Sequence, residues 1–124
     1  MNNYERRKYP KVSLNGEVAI LLAGVIRNGA LLEVSPAGVQ IEVRHQLVEQ
    51  LVKFKSEAGL YPDFELEFML PVGGRAKTRI KTVCNVAYCR RQCQDRYHLG
   101  LNFVTLDEND ERQVDAYIDH ACAA

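Results

Sequence analysis

Hydrophobic and polar positions alternate on both sides of a short break in Leu31-Leu32-Glu33-Val34-Ser35-Pro36-Ala37-Gly38-Val39-Gln40-Ile41-Glu42-Val43. That period of two predicts strand, tight turn or bulge, strand. The break, Glu33-x-Ser35-x-x-Gly38, holds a carboxylate, a hydroxyl and a glycine within six residues. Gly38 permits a positive φ or a close backbone approach, and Pro36 removes one ladder donor. Taken alone, the stretch is an ordinary hairpin corner with polar turn residues.

Upstream, Val12-Ser13-Leu14 and Glu17 to Leu22 alternate like strands around Asn15-Gly16, and Asn28-Gly29 precedes Ala30-Leu31-Leu32. Asn-Gly between apolar runs is the strongest short-range hairpin signal, so turns are expected at both dipeptides. After Val43 the period changes. Leu47, Leu51, Phe54 and Ala58 recur at helical spacing between His45 and Gly59. An amphipathic helix of about three turns is predicted there, with Gly59 as its stop. Its expected role is a lid on the end of a barrel, with a partner-binding helix as the alternative.

Strand patterning then resumes. Phe64 to Leu70 alternates and ends at Pro71, and Gly73-Gly74 turns the chain. Ala76, Thr78, Ile80 and Thr82 oppose Arg75, Lys77, Arg79 and Lys81 in a strand that continues to Cys89. A polar loop is expected over Arg90 to Arg96, then a strand from Tyr97 to Val104. From about Asp107 to Ala121 a second helix carries Val114, Tyr117, Ile118 and Ala121 on its apolar stripe. Asp107 is its expected N-cap, and Glu108 and Asp110 suit the positive end of its dipole. About six short strands with a closing helix argue for a small antiparallel barrel.

The 124 residues fit one domain with its own core. Sixteen basic and sixteen acidic side chains cancel to a net charge of zero. A general binder of DNA or RNA carries a basic excess, so neither is an expected partner. No apolar run approaches the roughly 18 residues that span a bilayer, and no signal-peptide pattern opens the chain. The expectation is a cytoplasmic, soluble protein without membrane insertion. Cys84, Cys89, Cys93 and Cys122 do not form paired metal knuckles, so reduced thiols and no metal site are expected.

Catalytic constellations are not found. His45, His98 and His120 sit in unrelated contexts, and no Gly-x-Ser-x-Gly elbow, Walker loop or His-Glu-x-x-His occurs. His98 falls on the polar face of its strand and is expected at the surface. Glu65 and Glu67 share a strand face without an acid-base partner. Nothing assembles a nucleophile, a base and an oxyanion site, so an enzyme is not expected.

One further stretch changes the reading of the hairpin corner. Glu5-Arg6-Arg7-Lys8-Tyr9-Pro10-Lys11 lacks apolar periodicity and packs four cations into six residues. Pro10 pushes its predecessor toward extended geometry, which makes residues 1–11 a flexible or extended arm. Such an arm is either a solvated tail or an anion clamp whose guanidinium groups meet phosphates or guanine edges.

With both stretches together, the chain resembles the PilZ domain family, the bacterial receptor module for cyclic di-GMP. The family signature is an Arg-x-x-x-Arg arm followed by Asp/Asn-x-Ser-x-x-Gly. Here Lys11 stands for the second Arg and Glu33 for the Asp or Asn. The run Phe64 to Pro71, the strand Tyr97-His98-Leu99-Gly100-Leu101-Asn102-Phe103 and the closing acidic helix are similar to the family's later elements. The resemblance implies a mainly β fold, a six-stranded antiparallel barrel over residues 12–124 with a C-terminal closing helix, into which the helix after His45 is inserted, lengthening a connection that is often short in the family. Ligand would lie on its outer surface, clasped by the arm.

The resemblance further implies a ligand site of Arg6, Arg7, Lys11, Glu33, Ser35, Gly38 and Tyr88. Arg forks suit guanine O6 and N7, and a carboxylate such as Glu33 suits the N1 and N2 hydrogens. Ser35 would donate to phosphate or base, Gly38 would let the backbone come close, and Tyr88 would stack on a base. No cofactor beyond the cyclic di-GMP ligand is implied. The expected function is a non-enzymatic receptor or adaptor that signals in trans to an effector protein. The alternative is an adaptor that has lost the nucleotide and acts through protein contacts only.

Overall fold

The computed structural model describes residues 11–73 and 76–123. Six strands make up the body: β1 (Val12–Leu22), β2 (Val25–Ser35), β3 (Gly38–Val43), β4 (Phe64–Gly73), β5 (Ala76–Cys93) and β6 (Arg96–Thr105). Two helices complete it, α1 (His45–Lys53) and α2 (Glu108–Ala123). Every strand pairing is antiparallel, and the order β1-β2-β3-β6-β5-β4 closes on itself. Closure between β1 and β4 is brief, spanning Val18–Leu21 against Phe68–Glu65. The expected mainly β barrel with one inserted and one closing helix is the observed fold.

Inward positions follow the alternation. Val18, Ile20 and Leu22 of β1, Val39, Ile41 and Val43 of β3, and Leu66, Phe68 and Leu70 of β4 are all buried in one core. Bulges repair the places where a strict period of two fails. Leu31 and Val34 are three residues apart yet both buried, because the β2–β3 ladder shifts register between Leu31 and Glu33. The same device acts in β5, where Val86 pairs with Leu101 but Tyr88 pairs with Gly100. Ala87 is the extra residue. It turns Tyr88 outward, although continued alternation from Ile80, Thr82 and Cys84 would aim Tyr88 at the core.

Neither Asn-Gly dipeptide makes a turn. The β1–β2 hairpin reverses at Ala23-Gly24, where both residues have positive φ, 51° and 79°. That turn pairs Leu22 with Val25 and lets all three inward side chains of β1 reach the core. Asn15-Gly16 lies at a register shift within β1, and Asn28-Gly29 lies inside β2 opposite Ala19 and Val18. The segment Arg90–Arg96, expected as a loop, is mostly paired strand: Arg90 faces His98, Arg91 faces Tyr97, and only Gln94-Asp95 turns. Its outward, charged residues carried no apolar signal. β4 also continues past Pro71 to Gly73.

α1 ends at Lys53, earlier than the predicted Gly59. Leu47, Val48 and Leu51 are buried, while Phe54 and Ala58 are exposed. Beyond it the chain tightens into a separate turn, with Ser56 N–H bonded to Leu60 O at 2.9 Å and Gly59 at φ 82°. α1 covers the barrel end where β1 turns into β2. Gln50 donates to Leu22 O at 3.4 Å and accepts from Arg27 Nε at 3.1 Å. Its N-terminus is capped from a distance: Asp95, in the β5–β6 turn, accepts from His45 N–H at 2.9 Å and from Arg44 Nη1 at 2.8 Å. The lid reading of this helix is therefore the one observed.

α2 closes the other end, packing on β1, β2, β4 and β5 with Val114 and Ile118 buried. Asp107 caps it as expected, its Oδ1 accepting the Asp110 N–H at 2.8 Å. Asp110 is itself buried and accepts the Lys81 N–H at 3.3 Å, which ties the helix to β5.

Candidate functional site

The site begins at the corner between β2 and β3. Ser35 Oγ accepts the N–H groups of Ala37 and Gly38, each at 3.2 Å, and donates to Gly38 O at 3.3 Å. One hydroxyl thus holds a two-residue turn that Pro36 starts. The turn is also fastened to β6, where Phe103 N–H donates to Ala37 O at 2.9 Å. Gly38 has no positive φ, so its role is close approach: a Cβ there would strike the Leu101 carbonyl.

From this corner an outward face extends across β3, β6 and β5. Gly38 pairs with Asn102, and Gln40 pairs with Gly100, which pairs in turn with Tyr88. Gly100 has no side chain, and the Tyr88 ring occupies the space that a Cβ there would need. The ring is pinned at its far end, where Gln40 Nε2 donates to Tyr88 Oη at 2.9 Å. The Arg90 guanidinium lies over it, 4.7 Å from the ring centre. In the next row His98 Nε2 and Glu42 Oε1 are 3.1 Å apart. His98 is therefore a half-buried partner of Glu42 and less exposed than its strand pattern implied. Glu67, one of the two strand carboxylates noted in the sequence, pairs with Arg79 at 3.1 Å.

The β2–β3 corner, Gln40, Tyr88, Gly100 and Asn102 line an open cleft of about 200 Å³ on the outside of the barrel, and Arg90 lies beside it over the Tyr88 ring. Lys11, Glu33, Ser35, Gly38 and Tyr88 all line the cleft. Lys11 is exposed, immediately before β1, and Glu33 is half-buried near the end of β2. Arg6 and Arg7, the remaining site residues chosen from sequence, lie outside the described residues. Sequence reasoning missed the lining residues Gln40, Gly100 and Asn102, and also Arg90, which reaches the site only through the Tyr88 ring. Gln40 and Asn102 were legible only as outward polar positions of strands, and their meeting depends on the β3–β6 register. The described residues contain no group of three or more metal-ligating side chains, and Cys84, Cys89, Cys93 and Cys122 are free.

The PilZ domain family model matches residues 5–120, which takes in the strands, α1, most of α2 and this cleft. The chain belongs to the PilZ family. Among solved structures it is similar to the Bacillus subtilis inhibitor of motility MotI/DgrA, with TM-score 0.68 and 15% identity over 95% of this chain and 52% of that one. It is similar to Borreliella burgdorferi PlzA in complex with c-di-GMP, with TM-score 0.61 and 9% identity over 98% and 55% of the two chains. The PilZ domain of Escherichia coli YcgR with c-di-GMP gives TM-score 0.61 and 15% identity over 95% and 92%. The chain spans about half the length of the first two. At these identities the likeness concerns the fold. No curated protein matches the chain. Within the PilZ pattern, Lys11 and Glu33 are the departures noted from sequence, and both line the cleft. No helix of the described residues is long and apolar enough to cross a membrane.

Proposed function

We propose that this chain is a non-enzymatic receptor for cyclic di-GMP, acting in the cytoplasm and passing its signal in trans to an effector protein. The observation that supports this is convergence. Five residues chosen from two sequence motifs and one later strand line a single cleft. In this reading the segment 1–11 folds over the cleft, and Arg6 and Arg7 meet guanine edges or phosphodiester oxygens. Lys11 supplies a further positive charge. Glu33 accepts from guanine N1 and N2, whereas Gly38 acts by letting β3 lie close on β6, because the Leu101 carbonyl fills the space its side chain would need. Ser35 already spends its proton on the turn, so its part is to hold the corner, with the oxygen lone pairs directed at backbone amides.

A second reading rests on Lys11 and Glu33. Lysine loses the planar fork of arginine, and glutamate carries its carboxylate one methylene further out. Losing one good charge-assisted hydrogen bond costs roughly 1–2 kcal/mol, about tenfold to thirtyfold in affinity. A chain that lost more than this would serve as an adaptor through protein contacts alone. Isothermal titration calorimetry with cyclic di-GMP at moderate salt separates the two. The receptor reading expects a Kd in the micromolar range or tighter, and a weaker Kd for Arg7→Ala. No heat, with an unchanged Tm at high ligand concentration, selects the adaptor. An Arg7→Ala variant with wild-type affinity removes the arm from the site.

A further inference from the structure

The Tyr88 ring already carries a cation, the Arg90 guanidinium. The ring lies on Gly100, in the space a side chain at that position would fill. Tyr88 is a β5 residue aimed outward by the bulge at Ala87, and Arg90, two residues on, is exposed on the same side. The Arg90 guanidinium lies over the ring, 4.7 Å from its centre. The Tyr88 ring thus touches Gly100 and carries the Arg90 guanidinium. Gln40 steadies the ring through the hydrogen bond to Tyr88 Oη. No carboxylate among the described residues pairs with Arg90, since the nearby Glu42 meets His98. Its cation is thus held over a π system while the residue stays exposed to solvent.

We propose that a ligand's purine base stacks on Arg90, and that Tyr88 acts beneath it as the support that holds the guanidinium in place. This rests on the receptor reading above and reassigns Tyr88 from the stacking surface to a positioning residue. The physical case is that guanidinium planes stack on bases as aromatic rings do. A base that sought Tyr88 directly would first have to displace Arg90 from a favourable cation–π contact. Stacking on Arg90 keeps that contact and adds a positive charge beside the phosphodiester groups.

The test is calorimetry with cyclic di-GMP on wild type, Arg90→Ala, Arg90→Lys and Gln40→Leu, each checked for an unchanged Tm. Stacking on the guanidinium expects Arg90→Ala to weaken binding about tenfold or more. Arg90→Lys keeps the charge and loses the plane, so its affinity should fall close to that of Arg90→Ala. Gln40→Leu, which frees Tyr88, should weaken binding to a smaller degree. Wild-type affinity in Arg90→Lys would reduce Arg90 to a charge and overturn the stacking role. Equal or tighter binding by Arg90→Ala would show that the guanidinium only shields Tyr88, and would also overturn it. Absence of binding by the wild type itself would overturn the receptor reading, and this inference with it.

Discussion

At the scale of single residues, two positions illustrate how little room the barrel leaves. Gly38 sits where a methyl group would meet backbone, and a carbonyl held in a ladder cannot move aside as a side chain can. Gly38→Ala should lower stability by about 1–3 kcal/mol, read as a fall in Tm, and under the proposed receptor function should also weaken cyclic di-GMP binding because the corner is displaced. A variant with wild-type Tm would mean that β3 and β6 can separate freely. Cys84 is fully buried, and burial, with a smaller contribution from Asp63, pushes its thiol up to about 12. The thiolate is the reactive form, so Cys84 should resist alkylation near pH 8 while the exposed Cys93 and Cys122 react. Mass spectrometry of the native protein after brief labelling checks this, and early modification of Cys84 would contradict its burial. The motif residues Glu33, Ser35 and Gly38 were legible from sequence because they lie within one turn. Arg90 and Gln40 were not, since their importance comes from contacts across strands far apart in the chain.

At the scale of elements, the two helices show where local signals suffice and where they fail. α2 carries its own cap: Asp107 binds the Asp110 N–H, and the start was readable to within a residue. α1 borrows its cap from Asp95, fifty positions away, so nothing local announces it. Its end was misread because Phe54 and Ala58 continue the helical spacing although neither is buried. The His45 N–H first, and Arg44 next to it, hold the Asp95 carboxyl below its usual value of 3.8. A depressed carboxylate stabilises the fold above its unfolded pKa, and that contribution disappears as pH falls through the lower, folded value. The His45 amide resonance should therefore titrate with a midpoint below 3.8, and the Asp95→Asn variant should abolish that titration. A midpoint at or above the ordinary value would remove the distant cap. The hairpins follow the same logic. Asn-Gly reads strongly, yet Ala23-Gly24 is the turn that lets Val18, Ile20 and Leu22 all face the core. Tertiary burial overrode the dipeptide preference.

At the scale of the whole molecule, the fold was largely legible because alternation and helical spacing survive in most segments, and ring closure is what their sum requires. The bulges at Leu32 and Ala87 were not, because a bulge resembles a break in alternation until its partner strand is known. The ring is also uneven. β3 meets β6 through six consecutive pairs, whereas β1 meets β4 through four, and below Val18 the ladder partners of β1 are in β2 only. A zip opens where it has fewest teeth. Amides in the Val18–Leu21 ladder toward β4 should exchange with solvent before those joining β3 to β6, and equal protection across both would refute a weak seam. Lys11 stands at the foot of that loosely fastened strand. A pull on Lys11 loads the β1–β2 pairs from Val12 onward and then the four β1–β4 pairs, the fewest of any joint in the ring, so that seam is where the barrel yields.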